Sequence, residues 1–219
     1  MFFHTHPYEP FIPEDATKLI VGTLPPPRFT TGEFKAGDVD FCYGSRDGLL
    51  WPVLDKLFDL DLKFENTFEA IEQRKSFLTK RGIGICDVVQ SSKREKIDAS
   101  DLGMEHVELR NMTEILSQHP KIDTLLFTGG NSKNGPEYFF RKHLKQQSEE
   151  ISLKAISAEV PRIYQFLLEG RLIKTVSLTA PSGSANRAIG SMKLYKNLKR
   201  KNPEFNTIDF RVLQYNGFF

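Results

Sequence analysis

Residues 18–27 read Lys-Leu-Ile-Val-Gly-Thr-Leu-Pro-Pro-Pro. Leu19, Ile20 and Val21 form a short, β-branched apolar run, the composition of a strand buried on both faces of a parallel sheet. Gly22 ends the run, and Pro25, Pro26 and Pro27 forbid helix or sheet beyond it. A strand that stops in a rigid Gly/Pro loop presents backbone at the carboxyl edge of an α/β sheet, where such folds bind ligands. A second loop of the same design follows the apolar run 173–178: Thr179-Ala180-Pro181-Ser182-Gly183-Ser184-Ala185-Asn186-Arg187. The two loops are expected to flank one cleft.

Strand and helix patterns alternate outward from this pair. Asp47 reads as a helix N-cap, followed by an apolar stripe of Leu50, Val53, Leu54 and Leu57 that accommodates Pro52 in the first turn. Thr67 caps a helix that runs to Arg81 and stops at Gly82, and 83–89 reads as a strand. Segment 91–103 is charged and irregular. Asn111-Met-Thr-Glu114 resembles a capping box for a helix ending before Pro120. Residues 122–128 form a strand stopped by Gly129-Gly130, and Pro136 opens a helix through about Gln147. Runs 163–168 and 172–178 make a hairpin turning at Glu169-Gly170. A helix over 185–201 and a last strand over 208–214 complete the pattern. The fold class is therefore α/β, with a mostly parallel central sheet between helical layers.

At 219 residues the chain fits one domain, 1–219, with 1–15 as an extended N-terminal arm shaped by Pro7, Pro10 and Pro13. Apolar content of 39% and charged content of 26% are those of a globular protein. No apolar run approaches the ~20 residues that span a bilayer. The N-terminus has no secretory pattern, so the expected location is the cytoplasm. Cys42 and Cys86 lack metal-ligand spacing and read as free thiols. His4 and His6 have no neighbouring carboxylate or thiolate, so no metal is expected. Net charge is only +2, but residues 185–202 carry Arg187, Lys193, Lys196, Lys199, Arg200 and Lys201 with no acid. Basic side chains beside a cleft favour phosphate; the same residues also suit the solvated face of a helix that buries Ile189, Met192, Tyr195 and Leu198.

Four blocks, in order, resemble motifs of the uracil-DNA glycosylase superfamily, most closely its mismatch-specific and hypoxanthine-DNA glycosylase branches. Ile20-Val-Gly-Thr-Leu-Pro25 resembles the first motif, a relaxed Gly-x-x-Pro after strand one. Tyr43-Gly-Ser-Arg-Asp-Gly-Leu-Leu-Trp-Pro52 is similar to the tyrosine, arginine and Phe-Trp-Pro segment. Arg81-Gly-Ile-Gly-Ile-Cys-Asp-Val-Val89 resembles the Gly-Ile-x-Leu-Trp-Asp-Val block with Cys86 in place of tryptophan. The loop 178–187 resembles the second, Pro-Ser motif, and Phe127-Thr-Gly129 takes the place of Phe-Asn-Gly.

The resemblance implies a three-layer α/β/α domain, monomeric and without cofactor, that flips a damaged base out of DNA and hydrolyses its N-glycosidic bond. It implies a base pocket of Gly22, Thr23, Leu24, Pro25, Phe41, Tyr43 and Thr128, with Phe41 or Tyr43 stacking on the base. Pro181, Ser182, Gly183, Ser184, Asn186, Arg187 and Lys193 are implied to grip the DNA backbone. Leu24 replaces the usual water-activating Asn or Asp, and Ala180 replaces the His or Asn before Pro-Ser. Asp47, before the Leu-Trp-Pro segment, is left as the candidate catalytic carboxylate. These departures sustain an alternative, a non-catalytic nucleic-acid- or ligand-binding member of the fold.

Overall fold

The computed structural model describes residues 1–147 and 151–219. In chain order come β1 (Phe2–Thr5), β2 (Lys18–Val21), α1 (Pro27–Thr31), α2 (Leu50–Phe58), α3 (Phe68–Arg81), β3 (Ile83–Ile85) and β4 (Val89–Arg94). They are followed by β5 (Glu105–Leu109), α4 (Met112–Gln118), β6 (Thr124–Phe127), α5 (Pro136–Leu144), β7 (Lys154–Ser157), β8 (Arg162–Leu168) and β9 (Arg171–Ser177). The described chain closes with α6 (Asn186–Ser191), α7 (Lys193–Lys201) and α8 (Thr207–Tyr215).

The central sheet has the order β3-β2-β6-β9-β8-β7. Its first four strands are mutually parallel, and β8 and β7 continue it antiparallel. Alternation along β2 sorts its residues between two cores. Ile20 joins Leu126, Val176, Ile83 and Ile85 against residues of α2, α3 and α8. Leu19 and Val21 join Leu125, Phe127 and Ile173 against residues of α4 and α5. The result is a sheet between two helical layers, as the alternating sequence pattern predicts.

Several local expectations hold. Thr67 Oγ1 accepts from Ala70 N, and Gly82 closes α3 at φ 61°, the left-handed geometry that glycine adopts without strain. Asn111 accepts from Glu114 N at the start of α4, Pro136 is the first residue of α5, and β8 and β9 turn at Glu169-Gly170. Residues 148–150, just beyond the predicted end of the α5 helix, lie outside the described residues.

Others change. The arm at 1–15 contains β1, which pairs with β4 in a second sheet of order β1-β4-β5. Pro27 opens α1 instead of forbidding helix, because the first helical position needs no N–H partner. The strand over 83–89 divides: after Ile85 the N–H groups of Cys86 and Val88 bond Ile20 and Gly22 carbonyls, and the chain then leaves for the second sheet. The helix over 185–201 breaks at the extended Met192, directly after Gly190 and Ser191, both weaker helix formers than alanine. The last strand over 208–214 is instead helix α8. Asn206 and Asp209 form a capping box that fixes its start, and it buries Phe210, Arg211 and Tyr215.

Candidate active site

Because β2, β6 and β9 are parallel, their carboxyl ends share one sheet edge. The loops that leave them meet the 43–48 loop around a cleft of about 710 Å³, a volume within the roughly 300–1,000 Å³ of small-ligand sites. Leu49 N donates to Pro181 O at 2.9 Å, and Gly48 bridges to Ser182, so the 43–48 loop and the second motif loop are physically joined. The shared-cleft expectation therefore holds.

The floor is a connected set of polar groups. Asp87 Oδ1 accepts from Gly22 N at 2.7 Å and from the Tyr43 hydroxyl at 2.9 Å. Its Oδ2 lies 3.0 Å from His6 Nε2. Thr128 Oγ1 lies 3.1 Å from the Tyr43 hydroxyl and continues the chain. Asp87, His6 and Thr128 are all buried. Burial, and then the Asp87 charge, push the Tyr43 phenol well above its ordinary pKa, so it stays protonated as a donor. Gly22 is required here: a Cβ would stand 2.1 Å from the Tyr43 hydroxyl, 2.8 Å from Asp87 Oδ1 and 3.0 Å from Thr128 Oγ1.

Two further devices shape the walls. Arg28 grips Asp38 with Nε at 2.7 Å and Nη2 at 2.8 Å, and also donates to Ser45 Oγ at 2.9 Å. Asp38 in turn accepts from the amides of Lys35 and Arg46. Burial works to raise the Asp38 carboxyl, but these donors outweigh it and hold the pKa at about 2. On the other wall, the buried Arg211 of α8 donates to Ala180 O at 3.0 Å and Ser182 O at 2.8 Å, and to Asn186 Oδ1 at 3.0 Å. Tyr215 donates to Thr179 O, and Gln214 accepts from Thr179 N. The second motif loop is thus strapped to the final helix.

Of the residues expected in the base pocket, Thr23, Leu24, Pro25, Tyr43 and Thr128 line the cleft, and Gly22 supplies its amide to the floor. Phe41 does not line it. It is buried against Phe11 and Trp51, where the β2–α2 layer needs an apolar filler, so its stacking role is withdrawn. Of the expected DNA-gripping residues, Pro181, Ser182 and Ser184 line the cleft. Gly183, Arg187 and Lys193 are exposed and do not line it, and Asn186 carries the Arg211 bond.

Asp47 lines the cleft at its rim, with its side chain 71% exposed and 3.5 Å from Arg28 Nη2. It does not cap α2; that position falls to Leu49, which makes no side-chain cap bond. The sequence reading missed His6, Asp101 and Arg211. His6 lies in the proline-shaped N-terminal arm, and Asp101 in the charged, irregular segment 91–103. Arg211 fell in the misread last strand, where no pattern marked it as buried.

Among the described residues, no group of three or more His, Cys, Asp or Glu side chains is placed to hold a metal ion, and no helix is long and apolar enough to cross a membrane. No protein-family model matches the chain, and no curated protein matches it. Among solved structures, it is similar to the solution NMR structure of "a putative Uracil DNA glycosylase" from Methanosarcina acetivorans. The TM-score is 0.54 at 16% identity, with 96% of this chain and 99% of that chain covered. The fold is therefore uracil-DNA-glycosylase-like.

Proposed function

We propose that this chain is a monofunctional DNA glycosylase that hydrolyses the N-glycosidic bond of a deaminated or mismatched base, uracil or hypoxanthine. The observation that carries the reading is the convergence of the loops after β2 and β9 with the 43–48 loop on one cleft that has a hydrogen-bonding floor. A base cannot be reached inside the duplex, so it must be flipped into such a pocket and read along its polar edge. Here Thr128, the Tyr43 hydroxyl and the backbone of 22–25 would face that edge. The rigid loop 181–184 would press on the DNA backbone, while Arg187 and Lys193 neutralise phosphates without reading sequence.

Bond cleavage develops positive charge on the sugar and negative charge on the departing base. Asp47, exposed at the rim, would face the sugar of a base seated on the floor. Its carboxylate would orient the attacking water and stabilise the oxocarbenium-like sugar. Asp87 already accepts from the Gly22 amide and the Tyr43 hydroxyl and lies 3.0 Å from His6 Nε2, so its part is to hold these three groups in register. A second reading, ligand binding without catalysis, is favoured by Leu24 and Ala180, apolar residues lining the cleft at positions where polar ones are usual in the resembled motifs.

The test is strand scission after alkali treatment, on oligonucleotides carrying uracil, hypoxanthine, xanthine or a G·T mismatch. Scission at one of these sites, dependent on Asp47, is expected. DNA binding without scission on every substrate would favour the second reading.

A further inference from the structure

We infer that Asp101 is the general acid of this site, delivering its proton to a ring nitrogen of a purine leaving base; the inference rests on the glycosylase reading above. Asp101 opens the 3₁₀ turn Asp101–Gly103, in the excursion between β4 and β5. Its Oδ1 accepts from Thr23 Oγ1 at 2.8 Å, and its side chain lines the cleft. Thr23 is the neighbour of Gly22, whose amide bonds Asp87, so Asp101 flanks the floor where the base would sit. Asp47, by contrast, stands at the rim.

The turn that carries Asp101 is anchored and does not float over the opening. Buried Asn134 donates from Nδ2 to Asp101 O at 2.8 Å and to Met104 O at 3.1 Å. Buried Arg94 donates to Ser100 O at 2.6 Å. Among the described residues, Thr23 is the one hydrogen-bond donor to the Asp101 carboxyl, whereas Asp87 is engaged by Gly22, Tyr43 and His6.

The charged groups around Asp101 are Asp87 at the floor, Arg94 on β4, Asp98 in its own loop and Lys133 on the β6–α5 connection, which also lines the cleft. Burial raises the Asp101 carboxyl to about 6; the Thr23 hydroxyl and Arg94 pull it down, and Asp87 adds to the rise. Asp101 beside the floor and Asp47 exposed at the rim are two carboxylates of one cleft in different settings, the arrangement that separates an acid from a base or charge stabiliser.

In the step, the C1′–N bond breaks with its electron pair retained by the base. The Asp101 proton passes to a ring nitrogen of the departing purine. Water oxygen bonds to C1′ and releases its proton to bulk solvent, from which Asp101 regains the one it gave. A purine offers ring nitrogens with in-plane lone pairs flanking the glycosidic bond. Uracil offers only a weakly basic carbonyl oxygen there. The site is accordingly assigned to a purine such as hypoxanthine.

The experiment measures single-turnover release of hypoxanthine and of uracil from oligonucleotides between pH 5 and 9, for the wild-type chain, Asp101→Asn and Thr23→Val. Hypoxanthine release is expected to be fast at or below pH about 6 and to fall above it, because each further pH unit leaves roughly tenfold less acid form. Asp101→Asn is expected to slow hypoxanthine release at pH 6 by about 10²-fold and to flatten the pH profile. Any uracil release should change far less. Thr23→Val removes a donor to the ionised carboxyl, so the falling limb should move to higher pH.

An unchanged limb in Asp101→Asn would overturn the acid assignment, as would an equal loss on both bases at every pH. Release of uracil but never of hypoxanthine by the wild-type chain would overturn the purine assignment and leave the glycosylase reading standing. Release of neither base would remove that reading and this inference together.

Discussion

Gly22→Ala should break the floor of the cleft by steric means alone. Gly22 does not have a positive φ, so alanine meets no backbone penalty there. The cost comes from a Cβ 2.1 Å from the Tyr43 hydroxyl, too close to coexist with it, and 2.8 Å from Asp87 Oδ1. Tyr43 must move and release its 2.9 Å hydrogen bond to Asp87. A hydrogen bond to a charged group is worth about 1.5–3 kcal/mol, and overpacking adds about 1–3 kcal/mol. The variant should therefore lose roughly 4 kcal/mol, or about 8–16 °C in Tm for a chain of this size. Tyr43→Phe alone should cost about 1.5–3 kcal/mol through the lost donor. In the double variant the hydroxyl is absent, so the closest obstacle to the new Cβ is gone. Urea unfolding of the four proteins in a double-mutant cycle should give a coupling of at least about 1 kcal/mol. Additivity within about 0.5 kcal/mol would refute the claim that these two residues meet at the floor.

Arg211→Met should remove the strap on the second motif loop, leaving the Ala180 and Ser182 carbonyls without their donor. A loss of about 2–4 kcal/mol in chemical unfolding is expected, together with faster amide exchange over 183–186. Asp38 has a folded pKa of about 2, below the ordinary carboxylate value near 4. Its contribution to stability is present above pH about 4 and is lost as pH falls through about 2. A urea-midpoint series in acid should show this loss, and Asp38→Asn should remove it. Arg187→Ala should weaken binding to damaged and undamaged DNA by similar factors, lowering the slope of log affinity against log salt by about 0.9. Unequal weakening would show that Arg187 reads the lesion.

The fold was legible where local signals agreed with burial. Leu19, Ile20 and Val21 announce a central strand because both faces of β2 are covered, and Thr67 with Gly82 brackets α3 by cap chemistry that needs no tertiary partner. The misreadings share another cause. Ile208, Phe210 and Val212 alternate like a strand, yet the capping box of Asn206 and Asp209 and the packing of α8 on α2 decide for helix. The site was legible only in its loops. Gly22, Tyr43 and Thr128 were placed through motif resemblance, but the group that joins them, Asp87, comes from a turn read as the end of a strand. His6 reaches the floor from 81 residues away, and Asp101 binds Thr23 across 78. No spacing in a single sequence encodes such encounters. Phe41 was misassigned for the opposite reason: its neighbours in sequence suggested a pocket, while its neighbours in space are Phe11 and Trp51.

The most direct measurement of the central claim is the release of free base, followed by chromatography under single-turnover conditions, on wild-type chain and Asp47→Ser. Asp47 makes no helix-capping bond and its ion pair with Arg28 is largely exposed, so the variant should unfold close to the wild-type temperature. The expected result is release of uracil or hypoxanthine by the wild-type chain and release slowed at least about 10²-fold in the variant. Wild-type protein that binds these oligonucleotides but frees no base from any of them would contradict the claim.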